Sequence, residues 1–176
     1  MNKKLIIIAG VAGEIGTCFA KNITEQGVDV IGVTRNRKVK EETNIHFSSI
    51  ECNLDDKYEI ENKFANVALE NYSQIVYLHT IGIDKFKPRN YPHVVKMETI
   101  DPEIYNTNVN SFKYLLKYLI TRVQEINSSN QNVKLKTAII AGTSDKHTPF
   151  VIEDFCESKF ILRQYLLSYV KIFPQW

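Results

Sequence analysis

Hydrophobic and polar positions along the chain fall into blocks that switch between a strand period and a helix period. Leu5-Ile6-Ile7-Ile8-Ala9 is continuously apolar and partly β-branched, the pattern of a strand buried on both faces in a parallel sheet. Residues 14–26 then repeat at helical spacing, with Ile15, Cys18, Phe19 and Ile23 on one face and Gly27 as a stop. Residues 28–34 read as a second buried strand and 44–52 as a weaker third one through Ile45-His46-Phe47. Asp55 and Asp56 are expected to cap the next helix, which carries Ile60, Phe64, Val67 and Ala68 and runs to about residue 72. A fourth strand covers 75–78. Beyond Ile83 comes an aperiodic polar stretch with Pro88, Pro92 and Pro102, long enough to be a binding loop. The longest helix, 103–127, has a stripe of Tyr105, Val109, Phe112, Leu116, Leu119 and Val123, widened by Leu115 and Tyr118. After the polar turn 127–132, a fifth strand over 136–141 leads to a last helix over 152–170.

Strand and helix alternate throughout, which predicts an α/β fold: a Rossmann-like, doubly wound parallel β-sheet flanked by helices in three layers. The 176 residues fit one domain spanning 1–176. Hydrophobic content of 44 % with 24 % charge is that of an ordinary globular chain, and a net charge of +2 gives no bulk attraction to nucleic acid. Cys18, Cys52 and Cys156 form no CxxC pair, so neither a disulfide framework nor a zinc site is expected, and a cytoplasmic location is the default. Lys3 and Lys4 before an apolar run faintly imitate a signal peptide, but the run is short and passes straight into glycine. No stretch approaches the ~20 apolar residues of a membrane span.

The first strand ends in Gly10-Val11-Ala12-Gly13-Glu14-Ile15-Gly16. Glycines three apart allow a tight turn and a close approach to a diphosphate, and the following helix aims its free N–H groups at that diphosphate. The Lys and spacing of GxxxxGK[ST] are missing, which removes a P-loop NTPase. The expected cofactor contacts here are Gly10, Ala12, Gly13, Glu14, Ile15 and Gly16. Arg35, followed by Asn36-Arg37-Lys38, stands where the adenosine ribose arrives, and its planar charged fork favours a 2′-phosphate. NADP(H) is therefore expected ahead of NAD(H). His79-Thr80-Ile81-Gly82 follows the fourth strand as a stretch suited to lie under the cofactor. His46, His79, His93 and His147 show no metal-ligand spacing, so no metal is expected.

These residues resemble the short-chain dehydrogenase/reductase family over nearly the whole chain, with the GxxGxxG spacing of its extended, epimerase-like members. The resemblance implies that Asn53-Leu54-Asp55 is the turn beside adenine, with Asn53 and Leu54 in contact, and that His79 and Thr80 stand at the family's Asn-Asn-Ala-Gly stretch. It further implies a catalytic set of Asn108, from Asn108-Val109-Asn110-Ser111, Ser144 at the end of strand five, and Lys159, which would also hold the nicotinamide ribose. Phe155-Cys156-Glu157-Ser158-Lys159 occupies the place of the family's Tyr-x-x-x-Lys, and the tyrosine is absent. Losing that positioned acid removes a contribution of ~10²- to 10⁴-fold. His147 and Tyr165 are poor substitutes, since Tyr165 lies roughly 80° around the helix from Phe155.

Family members continue past this helix, so the resemblance also implies either a fragment or a shortened relative, in both cases lacking the usual substrate-binding portion, with Phe173 and Trp176 covering a sheet edge or a subunit contact. The expected function is an NADP(H)-dependent oxidoreductase acting on a small carbonyl or hydroxyl compound, with a nucleotide-sugar as one substrate class. The alternative is a non-catalytic dinucleotide-binding sensor or scaffold. A homodimer through helices 103–127 and 152–170 is expected from the resemblance and from their wide apolar faces, with no nucleic-acid or membrane partner.

Overall fold

The computed structural model describes residues 3–35, 39, 44–83, 100–140 and 153–172. Among these residues five parallel strands form one sheet: β1 (Lys4–Ala9), β2 (Asp29–Thr34), β3 (Phe47–Glu51), β4 (Gln74–His79) and β5 (Lys134–Ile139), in the order β3-β2-β1-β4-β5. β1 pairs on both sides, Ile7 lying opposite Ile31 of β2 and Tyr77 of β4, and Leu5, Ile7, Ile8 and Ala9 are fully buried. Its unbroken apolar run is what a central strand covered on both faces requires. β5 is at the edge of the sheet among the described residues, and exposed Lys134, Lys136 and Ala138 alternate with buried or half-buried residues.

On one face lies α1 (Glu14–Thr24), packed over Ile8, Val11, Val30 and Leu78. Its buried seam is Gly16, Ala20 and Thr24, whereas Ile15 and Phe19, expected inside, are 49 % and 40 % exposed. Close approach of this helix to the sheet selects small residues and turns the larger apolar ones outward. Of the expected face, Ile23 is half-buried against the sheet and Cys18 is exposed.

The other face carries α2 (Lys57–Phe64), α4 (Ser111–Ser128) and α5 (Glu153–Ile172) over the larger core. Asp56 alone caps α2, accepting from the N–H of Tyr58 and Glu59; Asp55 takes no part in the cap. The helix ends at Phe64, and the rest of the expected helix is a turn followed by a short 3₁₀ segment, Leu69–Asn71. The weak third strand likewise begins only at Phe47, leaving Ile45 and His46 in a turn with Ile45 92 % exposed.

The expected long helix is built in three pieces: α3 (Pro102–Tyr105), capped by Asp101, then a wider π-helical turn, Asn106–Asn110, then α4. Phe112, Leu115, Leu116, Leu119 and Val123 are buried, Phe112 stacks on Tyr77, and Tyr118 packs on Phe64 of α2. The wide apolar stripe is thus covered within the chain. No described helix is long and apolar enough to cross a membrane.

Candidate functional site

The glycine segment after β1 is held by its own backbone. Gly10 N–H donates to the Val33 carbonyl (2.9 Å), Gly13 N–H to the Gly10 carbonyl (3.0 Å), and the Thr17 hydroxyl to the Val11 carbonyl (2.8 Å). Gly10 has φ +87°, and a Cβ on Gly16 would stand 2.3 Å from the Gly10 carbonyl oxygen, so both positions require glycine. Gly13 is the residue before the first turn of α1 and offers no side-chain cap. The first amides of α1 have no acceptor within the helix, which makes that end attractive to an anion.

Beside this loop is a cavity of about 290 Å³. It is bordered by Gly10, Ala12 and Gly13, by Val33, Thr34 and Arg35 after β2, by Cys52, Asn53, Leu54 and Asp55 after β3, by Ile81, Gly82 and Ile83 after β4, and by Thr107 and Ser111. All these strands end at one side of the sheet, and the connections from β1 and β4 leave in opposite directions there. Ligands of open α/β sheets bind at that switch point. The Cys52 thiol is pushed up to about 12 by burial, with Glu59 adding to the effect, and so stays protonated.

A second cluster lies behind the wall formed by residues 81–83. Asn108, in the π-helical turn, is fully buried: its Oδ1 accepts from Ile83 N–H (2.8 Å), and its Nδ2 donates to the Ile83 carbonyl (3.0 Å) and to Ser158 Oγ (2.9 Å). Ser158 in turn donates to the Phe155 carbonyl (2.7 Å). Lys159 is buried, and its Nζ donates to the Ile81 carbonyl (2.6 Å) and faces the Phe155 ring at 5.3 Å. Burial brings the Lys159 amine down to about 8.

His79 is fully buried, with Nδ1 2.9 Å from the Tyr77 hydroxyl. Burial, helped by the charge of Lys159, lowers its pKa to about 3, so the imidazole is neutral. A backbone group of Asn108 acts in the other direction, yet Nε2 has no hydrogen-bond partner.

Of the residues expected to hold a cofactor, Gly10, Ala12, Gly13, Arg35, Asn53 and Leu54 border the cavity. Glu14 and Ile15 are exposed and do not border it, and Gly16 is buried beneath the loop. The Thr80 hydroxyl donates to the Ala9 carbonyl (2.8 Å), tying β4 to β1. Asn108 and Lys159 come together, with Phe155 beside the amine as the four-residue helical spacing requires. Tyr165 packs instead on Phe112 and its hydroxyl faces Tyr169. Ser144 and His147 lie outside the described residues, as do Phe173 and Trp176.

Sequence reasoning gave no site role to Thr107, Ser111 or Ser158, the last two standing only as members of quoted motifs. Thr107 and Ser111 are polar residues one turn apart inside an apolar stripe, a signal that was present. The Ser111 hydroxyl donates to the Thr107 carbonyl at the end of the π-helical turn. Thr107 borders the cavity, and its Oγ1 is buried and unpartnered.

Residues 6–78 match the NAD dependent epimerase/dehydratase family. No curated protein matches the sequence. Among solved structures, a short chain dehydrogenase from Leptospira borgpetersenii with bound NAD⁺ is 18 % identical, with a TM-score of 0.72, over 98 % of this chain and 68 % of its own. A short-chain dehydrogenase/reductase from Burkholderia vietnamiensis gives 17 % and 0.74, over 96 % and 79 %. A 3-ketoacyl-(acyl-carrier-protein) reductase from Brucella melitensis complexed with NADH gives 17 % and 0.74, over 97 % and 70 %. The chain has the short-chain dehydrogenase fold. The resemblance read from the glycine turn and the Phe155-to-Lys159 helix extends to the course of the backbone over nearly all of this chain. The short-chain dehydrogenase fold also accounts for the strand order around the cavity, with β1 at the centre and the crossover to β4 beside it.

Proposed function

We propose that the chain binds a nicotinamide dinucleotide, NADP(H) ahead of NAD(H), as an oxidoreductase of the short-chain dehydrogenase/reductase type acting on a small carbonyl or hydroxyl compound such as a nucleotide-sugar. The observation that carries this reading is the cavity at the ends of β1 to β4, set beside the uncapped start of α1. The residues present suit such a ligand: bare helix amides for a diphosphate, Gly13 with no side chain in the way, and the orphaned Thr107 hydroxyl for a ribose or base. The matched family and the NAD⁺ and NADH bound to the Leptospira and Brucella proteins support a nicotinamide cofactor. Arg35 is what supports a 2′-phosphate, and three free thiols support a cytoplasmic setting.

When bound, the dinucleotide would supply a hydride to a carbonyl carbon or accept one from a carbinol carbon. The residues of this chain have narrower tasks. The glycine loop and first α1 amides would hold the diphosphate and Arg35 the adenosine end, Ser144 would donate to a substrate carbonyl, and Lys159, which does not border the cavity, would reach ribose hydroxyls by exchanging its bond to the Ile81 carbonyl. Phe155 has no proton to give, and this favours a second reading, a dinucleotide-binding sensor or scaffold without turnover.

Parallel titration with NADPH and NADH, followed by NADPH oxidation assays across aldehydes, ketones and nucleotide-sugars, separates the two. Binding with turnover supports the oxidoreductase. Binding without turnover supports the sensor, and no binding rejects both.

A further inference from the structure

Arg35 and Asp55 leave different strands, β2 and β3, yet border the same cavity. Their charges are opposite and they feel one another: burial, with Glu103 adding to it, holds the Asp55 carboxyl above its ordinary value, while Arg35 pulls it down. Among the described residues no ion pair joins them, so each charge remains available to whatever enters. The backbone of Asp55 is anchored on both sides: its N–H faces Asn53 Oδ1 (3.4 Å), and the next residue is the α2 cap. Asp55 has no capping task of its own, and a half-buried carboxylate at a cavity edge is unfavourable without a reason to be there.

We propose that Asp55 is a cofactor-specificity residue, which repels the 2′-phosphate that Arg35 attracts and so limits the preference for NADP(H) over NAD(H). This rests on reading the cavity as a dinucleotide site. A phosphate monoester carries about −1.5 to −2 charge at neutral pH. Arg35 is exposed and its attraction is screened by solvent, whereas Asp55 is half-buried and screened less. The two therefore oppose one another on comparable terms. A ribose 2′-hydroxyl has no charge for Asp55 to repel and can donate a hydrogen bond to it, so NAD(H) escapes the penalty.

Calorimetric titration of wild type, Asp55→Asn and Arg35→Ala with 2′,5′-ADP, 5′-ADP, NADPH and NADH tests this. Asp55→Asn is expected to tighten 2′,5′-ADP and NADPH by about three- to tenfold while 5′-ADP and NADH move by less than about twofold. Asp55→Ser, which removes the charge with a different shape, should change affinities in the same direction. Arg35→Ala should weaken the 2′-phosphorylated ligands alone. The proposal is overturned if Asp55→Asn leaves 2′,5′-ADP unchanged, if it shifts 5′-ADP equally, or if wild type binds neither mononucleotide. If 2′,5′-ADP responds as expected but intact NADPH and NADH do not bind, Asp55 discriminates 2′-phosphorylated mononucleotides only, and the dinucleotide reading falls together with the cofactor-specificity role.

Discussion

Lys159 Nζ stands 5.3 Å from the centre of the Phe155 ring, one helical turn away on α5, and donates a 2.6 Å hydrogen bond to the Ile81 carbonyl. The amine is in place, but the group beside it has no hydroxyl to polarise. Phe155→Tyr restores one, and a nearby cation lowers a phenol pKa toward the working range. Turnover of aldehydes or ketones should then rise by about 10²- to 10⁴-fold in kcat/KM. Phe155→Tyr combined with Lys159→Met should lose that gain. NADPH oxidation at saturating cofactor reads the result, and a Phe155→Tyr protein that binds cofactor without any gain refutes it.

The same amine makes stability depend on alkaline pH. Its folded pKa, about 8, lies below the unfolded value of 10.5 because burial disfavours the charged form. The unfolded chain therefore binds the proton more tightly than the folded one between those values. This stabilising contribution is full above 10.5 and is lost as pH falls through about 8. Lys159→Met has no such titration, so the urea midpoint of wild type relative to this variant should climb between about pH 8 and 10.5. A difference that stays flat across that window rejects the assignment.

Gly13 and Gly16 look alike in the repeat but play different parts. A Cβ on Gly16 meets the Gly10 carbonyl oxygen at 2.3 Å, whereas on Gly13 the nearest atom is that same oxygen at 3.4 Å. Gly16→Ala should lower stability by about 3 kcal/mol or more, through overpacking against backbone. Gly13→Ala should change stability by less than about 1 kcal/mol. Because Gly13 borders the cavity, it should still weaken NADPH binding. Thermal unfolding and calorimetry on the two variants distinguish a packing glycine from a ligand-facing one.

Much of the architecture was legible because parallel strands buried on both faces leave unbroken apolar runs, as in β1. The glycine turn was legible because its spacing answers to backbone geometry. What pattern reading missed came from contacts between elements. Ile15 and Phe19 look like a core face until Gly16, Ala20 and Thr24 take the sheet contact. A π-helical turn at Asn106–Asn110 inserts into a helix whose periodicity shows no break. Asp55 and Asp56 are chemically identical, and only the course of the backbone makes one a helix cap and the other a cavity wall. Thr107 gained meaning only when the structure showed a cavity-lining residue whose buried hydroxyl has no partner.

Phe160 and Leu167 are 52 % and 47 % exposed on α5, seven residues and so about two turns apart on the same side. With the α4 stripe already covered inside the chain, they are the apolar part of this face that a second copy would cover. We expect a homodimer in which each copy packs α5 against the other. Phe160→Glu with Leu167→Glu should give a monomer by light scattering while the folded far-ultraviolet dichroism persists. A wild type that scatters as a monomer at high concentration overturns the dimer.

Asn108 uses both amide hydrogens and its carbonyl oxygen in one staple: Ile83 N–H and carbonyl on one side, Ser158 on the other. Residues 81–83 are also a wall of the cavity, so the staple fixes the distance between that wall and α5. Asn108→Ala leaves three groups without their partner in a buried site, and the urea midpoint should report a loss of about 3 kcal/mol or more. Ser158→Ala removes one hydrogen bond and should cost about 1 kcal/mol. Because the two side chains share a bond, the double variant should lose less than the sum of the two. NADPH affinity should fall with Asn108→Ala more than with Ser158→Ala, since only the first frees the cavity wall. A midpoint unchanged by Asn108→Ala would mean that packing alone holds residues 81–83 in place.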